Sequence, residues 1–153
     1  MKPKRRGVSG SDSTHEVNQE KFIREMTKAR RLGRDDVYAD AFRGLCRSGT
    51  GDLDGDFAPV LLALDHAFAE KAGESRRLMR TKQTLNRYGT VHTLGELALK
   101  SKASDGFLKM LELGVADATA ERLVLKYRDQ FDADVILAAE NRLAEFGVLD
   151  HGA

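Results

Sequence analysis

The sequence predicts an all-α fold: an irregular bundle of about seven or eight short helices behind a disordered, basic N-terminal arm. Three observations carry that expectation. No segment of useful length alternates apolar and polar residues, aromatic residues make up only 7% of the chain, and apolar residues recur at three- and four-residue intervals between glycines. With 153 residues, 41% hydrophobic and 32% charged, the chain fits one globular domain. Residues 1–12 (MKPKRRGVSGSD) are basic, polar and Gly/Ser-rich and read as the arm. Residues 13–149 read as the domain, and a subdivision would fall near 73–90.

Each helix has its own signature. Ser13 and Glu16 have capping-box spacing and open a first helix that carries Phe22, Met26 and Ala29 inward and stops at Gly33. A second runs from about Asp35 to Arg47 with Val37, Tyr38, Ala41, Phe42 and Leu45 on one side. Gly49 to Asp56 reads as a polar loop. Phe57, Val60, Leu61, Leu64 and Phe68 form the widest apolar stripe, on a helix reaching Ala72 with Asp56 and Pro59 at its start and Gly73 at its end. The helix from Glu74 to Tyr88 has a thin apolar side, Leu78, Leu85 and Tyr88. Thr93 and Glu96 open the next as a second capping box; Ser104 begins another, with Phe107, Met110 and Leu111 inward as far as Gly114. Asp117 is expected to cap a helix to about Arg128. Asp132 caps the last, along which Ile136, Ala139, Leu143 and Phe146 recur until Gly147.

Several functional classes drop out at once. No apolar stretch approaches the roughly 18 residues of a membrane span. Gly, Ser and Asp follow the basic start where a signal peptide needs an apolar core. A single cysteine makes no internal disulfide, so a reducing cytoplasm is the expected compartment. Arginine outnumbers lysine 15 to 10, which fits a GC-rich bacterial genome. Asp52, Asp54 and Asp56 fit neither register of a calcium loop, because Leu61 or Ala63 falls where the closing carboxylate is needed. His15, His66, His92 and His151 lack partners at metal-ligand spacing. Cys46 sits beside the apolar stripe of its helix and reads as a small buried hydrophobe. No nucleophile elbow, phosphate-binding glycine loop or dinucleotide fingerprint is present. The sequence asks for neither a cofactor nor a metal, and its reading is non-enzymatic.

Charge is the remaining signal. The formal net charge is +1, yet the balance is +5 over residues 1–49, −4 over 50–73, +5 over 74–109 and −5 over 110–153. Within the second basic block, Arg76, Arg80, Gln83 and Arg87 recur at i, i+4, i+7 and i+11. At about 100° per residue they share a sector about 60° wide, opposite Leu78 and Leu85. Guanidinium groups so arrayed suit a row of phosphates. Arg77, Lys82 and the arm's Lys2, Lys4, Arg5 and Arg6 would strengthen the same field. The partner expected is a nucleic acid or an acidic protein surface. The competing reading pairs these arginines with the acidic helices of 117–145, and the alternative function is a protein–protein adaptor or a homo-oligomeric structural protein.

Leu113-Gly114-Val115-Ala116-Asp117-Ala118-Thr119-Ala120-Glu121-Arg122-Leu123 resembles the helix-hairpin-helix motif of DNA-binding and repair proteins over about 20 residues. The resemblance implies a turn whose backbone N–H groups grip a phosphate. The chain departs from the motif at Ala116, where a second glycine is usual, and at Asp117, whose carboxylate repels phosphate. An ordinary capped helix turn accounts for the same residues.

Overall fold

A computed structural model describes residues 10–150, with side chains from residue 16 onward. Among the described residues there is no strand; eight α-helices follow one another: α1 (Gly10–Leu32), α2 (Asp35–Cys46), α3 (Leu53–Ala67), α4 (Ala72–Tyr88), α5 (Thr90–Leu99), α6 (Asp105–Glu112), α7 (Ala120–Lys126) and α8 (Ala133–Glu145). Single 3-10 turns at Ala116–Ala118 and Arg128–Gln130 flank α7. None of these helices is long and apolar enough to cross a membrane. Residues 1–9 of the expected arm, Lys2, Lys4, Arg5 and Arg6 among them, lie outside the described residues, and its last three residues fall in α1.

Every helix sends a side chain into one continuous apolar cluster, from Met26 and Phe42 through Val60 and Leu78 to Leu94, Met110, Val124 and Ala139. The segments before and after α4 therefore pack into the same core. α1 packs chiefly on α2, and α5 joins α7 and α8. The α1–α2 approach depends on Gly44, where a Cβ would lie 2.4 Å from Phe22 Cε1.

The helices stand where their periodicity places them, but several ends move. α1 opens at Gly10, ahead of Ser13. α3 starts at Leu53, so Pro59 falls in its second turn, where its missing N–H leaves the Gly55 carbonyl without its helical donor. α3 also stops at Ala67, and Gly73 belongs to the first turn of α4 instead of ending α3. The Thr93–Glu96 capping box does not form. α5 begins directly after Gly89, whose φ of 91° suits glycine, and the Thr93 hydroxyl donates back to the Gly89 carbonyl at 2.8 Å. Thr119, not Asp117, caps α7 by accepting the Arg122 N–H at 3.2 Å, and that helix ends at Lys126. Ser104 caps α6 as its sequence suggests, accepting from the Phe107 N–H at 3.1 Å.

Candidate nucleic-acid interface

α4 is oriented by a single buried side chain, Leu78, with Leu85 half-buried beside it. Glu74 in its first turn and Arg87 in its last complement the helix dipole. Anchoring through Leu78 turns the opposite sector outward, and Arg76, Arg80, Gln83 and Arg87 are all exposed. The basic residues on either flank behave differently. Arg77 grips Asp105 of α6, with Nε to Oδ2 at 2.6 Å, and Lys82 Nζ reaches both Asp65 oxygens of α3 at 2.7 and 2.9 Å. Among the described residues no carboxylate forms an ion pair with Arg76, Arg80 or Arg87.

The acidic C-terminal helices pair elsewhere. Asp117 takes Arg47 of α2 through two hydrogen bonds of 2.8 and 3.0 Å, Glu140 lies 3.7 Å from Arg128, and Glu121 lies 3.6 Å from Arg142. Among the described residues these contacts leave Arg76, Arg80 and Arg87 of α4 without an ion-paired carboxylate.

Tyr88 corrects the expected inward side of α4. It is 58% exposed, because it lies about 70° around the helix from the Leu78–Leu85 axis. The Arg87 guanidinium sits over its ring at 5.7 Å, and the His92 ring of α5 lies 4.6 Å away. An exposed aromatic therefore adjoins the arginine row. Sequence spacing carried that signal in the angular offset of Tyr88.

No protein-family model, curated protein or solved structure matches the chain.

The hairpin before α7 uses its own backbone donors. The N–H groups of Gly114, Val115, Ala118 and Thr119 all donate to carbonyls within the preceding turns. Asp117 faces Arg47, whose hydrogen bonds hold its carboxyl below the usual range. These contacts describe a capped turn locked to α2. Cys46 is buried, and burial pushes its thiol up to about 12, which makes it inert at neutral pH.

The three carboxylates of the 52–56 segment diverge. Asp52 accepts from Thr50 at 2.6 Å and Asp54 from Thr90 of α5. Asp56, read from the sequence as a simple cap, is 8% exposed and accepts from the Gly51 N–H at 3.0 Å, Lys126 Nζ at 2.9 Å and the Tyr127 hydroxyl at 2.6 Å. Burial alone would raise its pKa, but the Tyr127, Lys126 and Gly51 hydrogen bonds outweigh it and hold the carboxyl below its ordinary value.

His66 is a second residue whose role sequence spacing missed. Thr27 Oγ1 donates to the Ile23 carbonyl at 3.0 Å, so it accepts from His66 Nε2 at 2.9 Å. The neutral ring's Nδ1 then accepts from the Tyr38 hydroxyl at 2.9 Å, which in turn receives Arg30 Nη2 at 2.9 Å. Burial first, and the Arg30 charge second, lower the His66 pKa and keep it in this neutral form. The chain of bonds ties α1, α2 and α3 together and uses both imidazole nitrogens.

Proposed function

We propose that this chain is a small, non-enzymatic binding protein of a reducing cytoplasm that docks on the phosphate backbone of nucleic acid through the outer face of α4. The observation that supports this reading is the contrast along one helix: Arg77 and Lys82 are ion-paired, whereas Arg76, Arg80 and Arg87 are exposed with no carboxylate partner among the described residues. Paired cations hold the helix in place, and unpaired ones offer guanidinium donors to an anion. Tyr88 beside Arg87 adds a surface on which an unstacked base can lie, which favours single strands. Phosphate contacts of this kind position a protein without reading sequence.

Fluorescence anisotropy with labelled single-stranded DNA, duplex DNA and RNA across a salt series tests the reading. Three phosphate contacts predict that replacing Arg76, Arg80 and Arg87 by Gln flattens the slope of log affinity against log salt by about 2 on single strands. Tyr88→Ala should weaken single-strand binding by about 1–3 kcal/mol while sparing duplex. Absence of binding to all three probes at low salt would overturn the nucleic-acid reading and leave the adaptor reading in its place.

A further inference from the structure

A cleft of about 650 Å³ opens between α4, α5 and α6, with α3 beneath it. Its lining is of two kinds. The inner part is apolar and drawn from the core: Leu61 and Leu64 of α3, Leu78 of α4, Met110 of α6. The three threonine hydroxyls of the wall are already engaged on their own backbone, and Ser101 and Ser104 stand on the loop at the rim. Thr81 donates to the Arg77 carbonyl at 3.3 Å, Thr84 to the Arg80 carbonyl at 3.0 Å and Thr93 to the Gly89 carbonyl at 2.8 Å. The interior thus favours hydrocarbon over a sugar or a base.

The outer part of the lining is cationic. Arg80, Lys100 and Lys102 are exposed there, and none forms an ion pair among the described residues. Of the carboxylates that share the lining, Asp105 is held by Arg77 and Glu96 lies 3.1 Å from His92 Nε2; Glu74 stands in the first turn of α4. The loop carrying Lys100 and Lys102 is anchored from below, because buried Arg142 donates to the Lys100 carbonyl. Three uncommitted cations over an apolar interior match one class of ligand.

We infer that this cleft binds a free, medium-chain linear carboxylate, its alkyl chain against Leu61, Leu64, Leu78 and Met110 and its carboxylate at Arg80, Lys100 and Lys102. The volume falls within the range of small-molecule pockets, about 300–1,000 Å³. One anionic group is the match in charge: the rim holds uncommitted cations, and Glu74 and Asp105 at the same lining oppose a polyanion. Arg80 is common to this site and to the phosphate face, whereas Lys100 and Lys102 belong to the cleft alone.

Decanoate is the probe, titrated into the full chain by calorimetry and by amide chemical shifts, with acetate and decanol as partners lacking the chain or the charge. Decanoate should bind saturably at one site and shift amides of α3, α4 and α6, while acetate does not bind and decanol binds at least tenfold more weakly. Lys100→Gln with Lys102→Gln, both on exposed positions, should weaken decanoate at least tenfold. Thr84→Phe, which fills the cleft from its wall, should abolish binding with the helical circular dichroism retained. Nucleic-acid affinity in the double lysine variant reports the α4 face separately, so the two readings fail independently. The inference is overturned if decanoate shows no saturable binding up to about 1 mM, if decanol binds as well, or if the double lysine variant binds unchanged.

Discussion

Asp56 accepts hydrogen bonds from a near neighbour, Gly51, and from Lys126 and Tyr127, which lie 70 and 71 residues further along the chain. The carboxylate is almost wholly buried, so each bond replaces lost hydration and their loss is costly. Asp56→Asn keeps the shape but turns one oxygen into a donor that faces either Lys126 and Tyr127 or the Gly51 N–H. We expect a loss of about 2 kcal/mol in urea unfolding. The sign with pH follows from the lowered carboxyl: the contribution of wild-type Asp56 is complete above the unfolded pKa of about 4 and is lost as pH falls through the lower folded value. The Asn variant should lack that acid-side loss. Composition and spacing made Asp56 look like a helix cap, because a helix start was in view and partners 70 residues away were not. Asp117 departs from its expected capping role for the same reason: its charge is taken by Arg47 in α2, leaving Thr119 to cap α7.

At the level of the helix, α4 differs from its neighbours in how little it buries. Leu78 is its one buried side chain, supported by half-buried Leu85 and two bridges of exposed or half-exposed partners, Arg77–Asp105 and Lys82–Asp65. Surface pairs of this sort contribute little, because water and salt screen them. Helix stability in a protein comes mainly from burial of an apolar face, so α4 should open locally before the core helices do. Native-state hydrogen exchange should show α4 amides exchanging faster than those of α3. Leu78→Ala, at a cost of about 2–3 kcal/mol, should release α4 while α3 and α8 stay protected. Loss of protection in all helices together would contradict this. The helices themselves were legible, because a 3.6-residue apolar period needs only local sequence. Their ends were less so. Gly73 signals a stop in isolation, but α3 had already ended at Ala67; Thr93 and Glu96 have capping spacing, yet Gly89 turns the chain earlier.

Across the whole molecule, the charge blocks meet in pairs: Asp65 of the first acidic block meets Lys82 of the second basic one, and Asp117 of the last block meets Arg47 of the first. The block pattern was visible in the sequence, but which cations stay unpaired is decided by how helices pack, so the openness of Arg76, Arg80 and Arg87 emerged only in three dimensions. The cleft beside α4 was invisible for the same reason, since its lining comes from five helices, α3 to α7, and the loop 100–104. Glu121 gives the molecule a pH response. Glu121 is 1% exposed, its two oxygens have no hydrogen-bond partner among the described residues, and burial pushes its pKa up to about 7. Its folded-state pKa exceeds the unfolded value of about 4.3, so the stability it contributes is present below that value and fades as pH rises toward 7. Thermal melts of the wild type should therefore fall between about pH 5 and 7.5, and Glu121→Gln should flatten that segment of the profile. The distance in sequence between Asp56 and Lys126 also bears on how the chain is made. During synthesis Asp56 emerges well before Lys126 and Tyr127. The amino end of α3 therefore keeps its carboxylate hydrated until some seventy further residues have left the ribosome, and only then does the latch close.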